Sequence, residues 1–240
     1  MRGRVSVVLG LMVAAVLATA LASGMRLAAP SEQPAAAAQQ RLALFANFGS
    51  HTPPDDVRHV ANWVADSRDN GPAPFIVVDK RQARIYVFDA QARLLDSTPV
   101  LLGSAPGDDS VPDIGTRALS QVLPHERTTP AGRFVAERGR NLTGEDVVWI
   151  DYDAAVSMHR VRTSNPQEKR LERLATPSIQ DNRISFGCIN VPVAFYETHI
   201  RPVFTAQRAI VYVLPEVKSV QEVFGSYDVM TTQQAAMQHQ

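Results

Sequence analysis

The sequence predicts a mainly β fold, a sandwich or barrel, with a short helix before it and another after it. Three observations lead there. Short apolar runs separated by Gly, Pro, Asp and Asn recur between residues 75 and 214, which is the pattern of strands and turns. Helical spacing of apolar residues is confined to one stretch on each side of that region. Setting aside the first 40 residues leaves about 200, enough for one domain with a sizeable core.

Residues 1–27 read as an export signal or an N-terminal anchor. Arg2 and Arg4 precede an apolar run from Val5 to Leu21, and the small residues Ala18, Ala20, Ala22 and Ser23 follow. The run is near the lower limit of the about 17–25 residues that span a bilayer, so this segment is the one membrane tether the sequence offers. Either reading puts the remainder outside the cytoplasm. Residues 28–73 comprise an Ala/Gln/Pro-rich linker and then a short helix over 53–65. Pro53-Pro54-Asp55-Asp56 opens the helix, Val57, Val60, Ala61 and Val64 repeat at helical spacing, and Asp69-Asn70-Gly71-Pro72 ends it.

Residues 74–214 carry the strands. Phe75–Asp79 and Arg84–Phe88 form a hairpin around Lys80, Arg81 and Gln82, and 94–103 is a further strand. A Gly/Pro/Asp-rich loop over 104–115 is expected to be exposed. Thr129-Pro130-Ala131-Gly132-Arg133-Phe134 is a turn feeding a strand, because Pro fixes φ and Gly permits the bend. Strands follow over 147–152, 155–159 and 209–214. Residues 215–240 are read as a helix with Val217, Val220 and Phe224 on one face, then a polar, frayed tail from Thr231.

The 24 basic and 24 acidic residues cancel, leaving no global field to recruit nucleic acid. The single cysteine, Cys188, excludes an internal disulfide framework. A lone thiol in an exported chain is either a small buried hydrophobe or a reactive nucleophile. Its surroundings, Ile184-Ser185-Phe186-Gly187-Cys188-Ile189-Asn190-Val191, favour the second. Gly187 lets backbone approach a ligand, and such a turn can aim N–H groups at a developing oxyanion. Ser185, Gly187 and Asn190 also fit purely local roles as backbone cap, tight turn and strand-end hydrogen-bonder.

A thiol with its ordinary pKa of about 8.5 needs an imidazole nearby to react at neutral pH. Of His51, His59, His125, His159, His199 and His239, His159 alone ends a strand, where a rigid element would position it. Metal and cofactor chemistry has no matching motif: the chain lacks His-x-x-x-His, paired cysteines, a Gly-x-Ser-x-Gly elbow and a phosphate loop.

Taken in order, the opening hairpin, the Thr129–Phe134 turn, Met158-His159 and Ser185-x-Gly187-Cys188-x-Asn190 resemble the L,D-transpeptidase (YkuD-like) catalytic domain over about 140 residues, from Phe75 to Leu214. The resemblance implies an L,D-transpeptidase-like β-sandwich or barrel, with Cys188 as nucleophile and His159 as base. It also implies that the Arg160 carbonyl orients the ring, that Ser185, Phe186, Gly187 and Asn190 shape the thiol turn, and that peptidoglycan stem peptides are the substrate. The location it implies is the periplasm or cell envelope. Where the family usually has a second histidine before Gly-Cys, this chain has Phe186, which cannot accept a proton.

His159 and Cys188 are 29 positions apart, longer than the family's usual interval, which implies an insertion. The segment 160–183 holds six basic residues against three acidic ones. It reads either as a solvated loop with a short helix near 167–174, or as a lid whose arginines bind stem-peptide carboxylates. Arg160, Arg162 and Arg183 are the substrate-binding candidates. Two rival functions keep the same residues: a cysteine peptidase or amidase using water as acceptor, and a wall-binding module without catalysis.

Overall fold

A computed structural model of the protein describes residues 42–238, with side chains to 234. The expected signal or anchor over 1–27 lies outside them. Among the described residues no helix is long and apolar enough to cross a membrane.

Helix α1 spans Asp55–Ser67, two residues later at each end than expected, and ends where Arg68 adopts the left-handed conformation at φ 57°. The strands are β1 Phe75–Asp79, β2 Arg84–Phe88, β3 Leu94–Pro99, β4 Leu102–Gly103, β5 Gly132–Arg140, β6 Asp146–Asp151, β7 Val156–Arg160, β8 Arg183–Ser185, β9 Ile189–Val191 and β10 Ala209–Val213. Eight of them form one mixed sheet in the order β3-β2-β1-β10-β5-β6-β7-β9, and β4 pairs with β8 separately. The sheet is nearly a closed barrel. After β3 the chain crosses to the far edge, where Leu101 and Asn190 of β9 exchange backbone hydrogen bonds of 2.9 and 2.8 Å.

Alternation along β1 shows how the core is divided. Ile76 and Val78 enter the barrel interior with Ile85, Val87, Val148, Met158, Ile189 and Val211. Phe75 and Val77 face outward, where Tyr86, Phe88 and Tyr212 pack against Val57, Val60 and Val64 of α1. All five β1 residues are buried and the first four are apolar, so the strand reads as a continuous apolar run ending in Asp79 rather than an alternating one. Removing each such side chain from water contributes about 1.5–3 kcal/mol.

Several expectations are corrected. Residues 94–103 form two strands in two sheets, with the barrel-closing crossover between them. The loop over 104–115 is not uniformly exposed: Ala105 and Asp108 are buried. Asp108 accepts the N–H groups of Glu216, Val217 and Lys218 at 2.6, 2.9 and 2.7 Å. Those three residues are thereby held out of the C-terminal helix, which begins only at Val220, with Ser219 as its cap. Val217 is accordingly exposed rather than on a buried face. The polar tail is not frayed at Thr231, because Val229–Gln238 is helical and Val229 is buried.

Residues 193–206 carried no expected element but are helical: Val193–Phe195, a π-helical turn Tyr196–Ile200, then Arg201–Ala206. The π-turn inserts a phase shift. Tyr196, Ile200 and Phe204, four residues apart, reach one core together with Phe195.

Candidate active site

Cys188 lies in the turn that carries the chain from β8 in the small sheet to β9 at the edge of the large one. The turn is clamped through its carbonyls. The Ser185 hydroxyl donates to Cys188 O at 2.7 Å and accepts the Gly187 N–H at 3.1 Å. Asn190 Nδ2 donates to the same carbonyl at 3.1 Å, and Thr129 Oγ1 donates to Gly187 O at 2.8 Å. Because a trans peptide is planar, fixing Gly187 C=O toward buried Thr129 turns the Cys188 N–H the opposite way. That is the direction from which an oxyanion donor can act.

Gly187 sits at φ +132°, and a Cβ there would come within 2.8 Å of Thr128 O. Gly187→Ala is therefore expected to cost about 1–3 kcal/mol in backbone strain alone. Thermal unfolding and the rate of iodoacetamide alkylation of Cys188 check this: both should fall, and an unchanged alkylation rate would show the turn to be tolerant.

The Cys188 sulfur is neither sealed in the core nor fully exposed. It lies 3.6 Å from Ser157 Oγ and 3.7 Å from Ala155 O. Strand register relates it to His159. Parallel pairing sets Met158 opposite Ile189 and His159 opposite Asn190, so Ser157 lies beside Cys188. Side chains alternate along a strand, so Cys188, Ser157 and His159 share one face, with the imidazole one two-residue repeat, about 6.6 Å, farther along. The sulfur's hydrogen-bond partners here are Ser157 and Ala155 rather than the ring.

His159 Nδ1 is 2.7 Å from Arg160 O. A carbonyl only accepts, so Nδ1 carries the proton and Nε2 is left with the basic lone pair. Burial lowers the ring's pKa to about 4, and the Arg162 and Arg170 guanidiniums push the same way, outweighing the opposing Arg160 carbonyl and Glu145. The imidazole is therefore a neutral acceptor at physiological pH.

Phe186 is 36% exposed, with the Arg127 guanidinium 4.1 Å above its ring. The expected substrate-binding arginines are mostly engaged by the chain itself. Arg160 pairs with Asp146 and Glu197 and stacks on Tyr196. Arg183 pairs with Glu216 and donates to Lys80 O at 2.8 Å. Arg162 pairs with Glu145.

The segment 160–183 contains helix Arg170–Ala175. Its arginines also bond inward: Arg173 donates to Glu168 O and Asp181 O, and Arg170 donates to Glu168 and, at 2.5 Å, to Asn190 Oδ1. Arg170 thus braces the side chain that holds the Cys188 carbonyl. Sequence reasoning passed over Arg170, Thr129, Ser157 and Arg127. Thr129 stood in a recognised turn motif, and Ser157 two residues before His159 on the same strand face; nothing local marked the others. Among the described residues no three His, Cys, Asp or Glu side chains converge as a metal site. A cavity of about 340 Å³ adjoins His159, lined largely by arginines.

In solved structures, the chain is similar to L,D-transpeptidase catalytic domains. It covers 65% of its length on the helical cell shape determining protein Pgp2 from Campylobacter jejuni, at 14% identity and a TM-score of 0.40. On the Enterococcus faecium L,D-transpeptidase C442S mutant the figures are 59%, 18% and 0.32. On the L,D-transpeptidase LdtMt1 in complex with imipenem they are 59%, 17% and 0.33. The matched parts amount to 55%, 50% and 59% of those chains. No protein-family model matches the sequence, and no curated protein does.

Proposed function

We propose that this chain is an exported cysteine acyltransferase of the L,D-transpeptidase type, acting on peptidoglycan stem peptides in the periplasm or cell envelope. The observation that carries the reading is the thiol turn: a partly exposed Cys188, its turn carbonyls bound by Ser185, Asn190 and Thr129, on the same sheet face as a neutral imidazole locked by Arg160 O. The ordered sequence motifs support the substrate assignment.

In the proposed cycle, the Cys188 side chain turns from Ser157 toward the imidazole and His159 Nε2 takes its proton. The thiolate attacks the carbonyl before the terminal residue of a tetrapeptide stem, and the Cys188 N–H stabilises the oxyanion. The C–N bond breaks, the imidazolium protonates the leaving amine, and D-alanine departs. An acceptor amine then attacks the thioester carbonyl, the C–S bond breaks, and the amine proton passes by way of His159 to the departing Cys188 thiolate. No cofactor enters these steps. Water in the acceptor's place would give hydrolysis by the same route.

Intact-mass spectrometry after incubation with a carbapenem tests the acyl-enzyme. One covalent adduct is expected on the wild type, none on Cys188→Ala, and slower formation on His159→Ala. The sulfur's contacts with Ser157 and Ala155 favour one competing reading, a wall-binding module without catalysis. A wild-type protein that resists both the carbapenem and neutral-pH alkylation would establish that reading instead.

A further inference from the structure

Asn190 of β9 is fully buried and lies opposite His159 of β7, so its side chain shares that sheet face. Its amide has two partners of fixed polarity. A guanidinium only donates and a carbonyl only accepts. Arg170 therefore holds Oδ1, at 2.5 Å, and the Cys188 carbonyl takes Nδ2, at 3.1 Å. The Arg170 side chain is only 14% exposed, and its Nε donates to Glu168 at 2.5 Å, so the guanidinium is clamped on two sides. The segment that delivers it is folded by its own contacts. Arg173 reaches Glu168 O and Asp181 O, the Thr176 hydroxyl donates to Asp181, and Asn182 Nδ2 donates to Val100 O at 2.9 Å. The outer side of the same helix is open to water, with Leu171 exposed.

We propose that Arg170 is a positioning residue for acyl transfer: from segment 160–183 it acts through the Asn190 amide on the Cys188 carbonyl, and so on the direction in which the Cys188 N–H points. The inference rests on the acyltransferase reading above. Without Arg170 the buried Oδ1 loses its donor, and the amide is free to turn over, which sets one oxygen against another at Cys188 O. Ser185 still holds that carbonyl, so the turn loosens rather than collapses. An oxyanion donor that swings away weakens the transition state more than the bound substrate. The same guanidinium, together with Arg162, disfavours the protonated His159 ring, while the Arg160 carbonyl and Glu145 favour it. One side chain thus bears on both the nucleophile's turn and the base. It gives the long connection between β7 and β8 a role in the chemistry that needs no contact with substrate.

The test uses the whole protein with a stem tetrapeptide as donor, and compares rates per titrated thiol at a temperature where each variant is folded. Arg170→Met keeps much of the side chain's length and removes every donor. It is expected to lower kcat by up to about 100-fold while KM for the donor stays at the wild-type value. Arg170→Lys should recover part of kcat, since an ammonium still donates to Oδ1. The acid limb of kcat/KM should move to higher pH in the Met variant and stay in place in the Lys variant, which keeps the charge facing His159; Arg162, Glu145 and the arginines of the neighbouring cavity are the same in both. Arg173→Met loosens the same segment without touching Asn190 and should leave kcat near wild type. On an Asn190→Ala background, Arg170→Met should cost almost nothing further. Alkylation of Cys188 by iodoacetamide follows the turn without any acyl chemistry, and should slow severalfold in the Met variant. A Met variant with wild-type kcat and alkylation rate, or one whose full loss persists on Asn190→Ala, overturns the proposal. A raised KM with unchanged kcat overturns it too, and makes the segment a substrate-binding lid. If the wild type forms no acyl-enzyme the transferase reading fails, and the alkylation rates of the single and double variants still decide the part played by Arg170.

Discussion

His159→Ala is expected to slow formation of the acyl-enzyme by about 10²–10⁴-fold, the usual contribution of a positioned general base. The pH dependence is the sharper expectation. Burial lowers the ring's pKa to about 4, and Nδ1 is occupied by Arg160 O, so Nε2 remains an unprotonated acceptor well below neutrality. The acid limb of kcat/KM should therefore fall near pH 4, not near the ordinary histidine value of about 6.5. A limb at 6.5 would mean that the ring is more solvated than the structure shows, or that another group is the base.

The same shift has a stability consequence of definite sign. Between about pH 6.5 and pH 4 the unfolded chain binds a proton at this position and the folded chain does not, so stability declines as pH falls through that window and levels off below it. The full effect approaches about 3 kcal/mol, since each tenfold loss of proton affinity is worth about 1.4 kcal/mol. Urea unfolding of wild type and His159→Phe at pH 7 and pH 4.5 measures it: the wild type should lose more on acidification. Equal losses would remove burial as the cause.

Much of this site was legible because its chemistry is concentrated in short segments. Gly187 before a lone Cys188 and a histidine ending a strand are local signals; β1, β2, β6, β7 and β10 announce themselves by apolar runs between turns, and β5 by the Thr129–Phe134 turn that feeds it. What stayed hidden depends on distant pairing. Leu101 reaching Asn190 across the barrel splits one apparent strand into two. Arg170 reads as part of a charged, solvated loop until its guanidinium is seen against Asn190. Asp108 belongs, by composition, to an exposed turn, yet it sits buried where it caps three consecutive N–H groups more than 100 residues away. The helical segment 193–206 escaped although Tyr196, Ile200 and Phe204 recur at helical spacing, because Pro192 precedes it and Pro202 falls inside it, where proline normally argues against a helix.

Lys80→Ala is expected to destabilise the protein more than any substitution of an exposed charge. The Lys80 side chain is fully buried, and its ammonium uses all three donors: Gly107 O at 2.5 Å, Asp108 Oδ1 at 2.9 Å and Thr129 O at 3.0 Å. Burial depresses its pKa, the Arg183 guanidinium adds to this, and the Asp108 carboxylate opposes both. Removing one partner of a buried pair leaves the other charge uncompensated, at a cost of about 3–5 kcal/mol. For a domain of this size that corresponds to roughly 6–20 °C in Tm, at about 2–4 °C per kcal/mol. The damage should also reach the thiol. Lys80 holds the Thr129 carbonyl, while the Thr129 hydroxyl accepts Gly103 N–H at 2.9 Å and donates to Gly187 O at 2.8 Å. Lys80→Met preserves much of the volume but none of the hydrogen bonds, so it separates packing from anchoring. If anchoring dominates, the Met variant should lose nearly as much Tm as the Ala variant, and Cys188 alkylation should slow in both at a temperature where each remains folded. A Met variant with wild-type Tm and wild-type thiol reactivity would show that the buried ammonium neither stabilises the fold nor sets the turn.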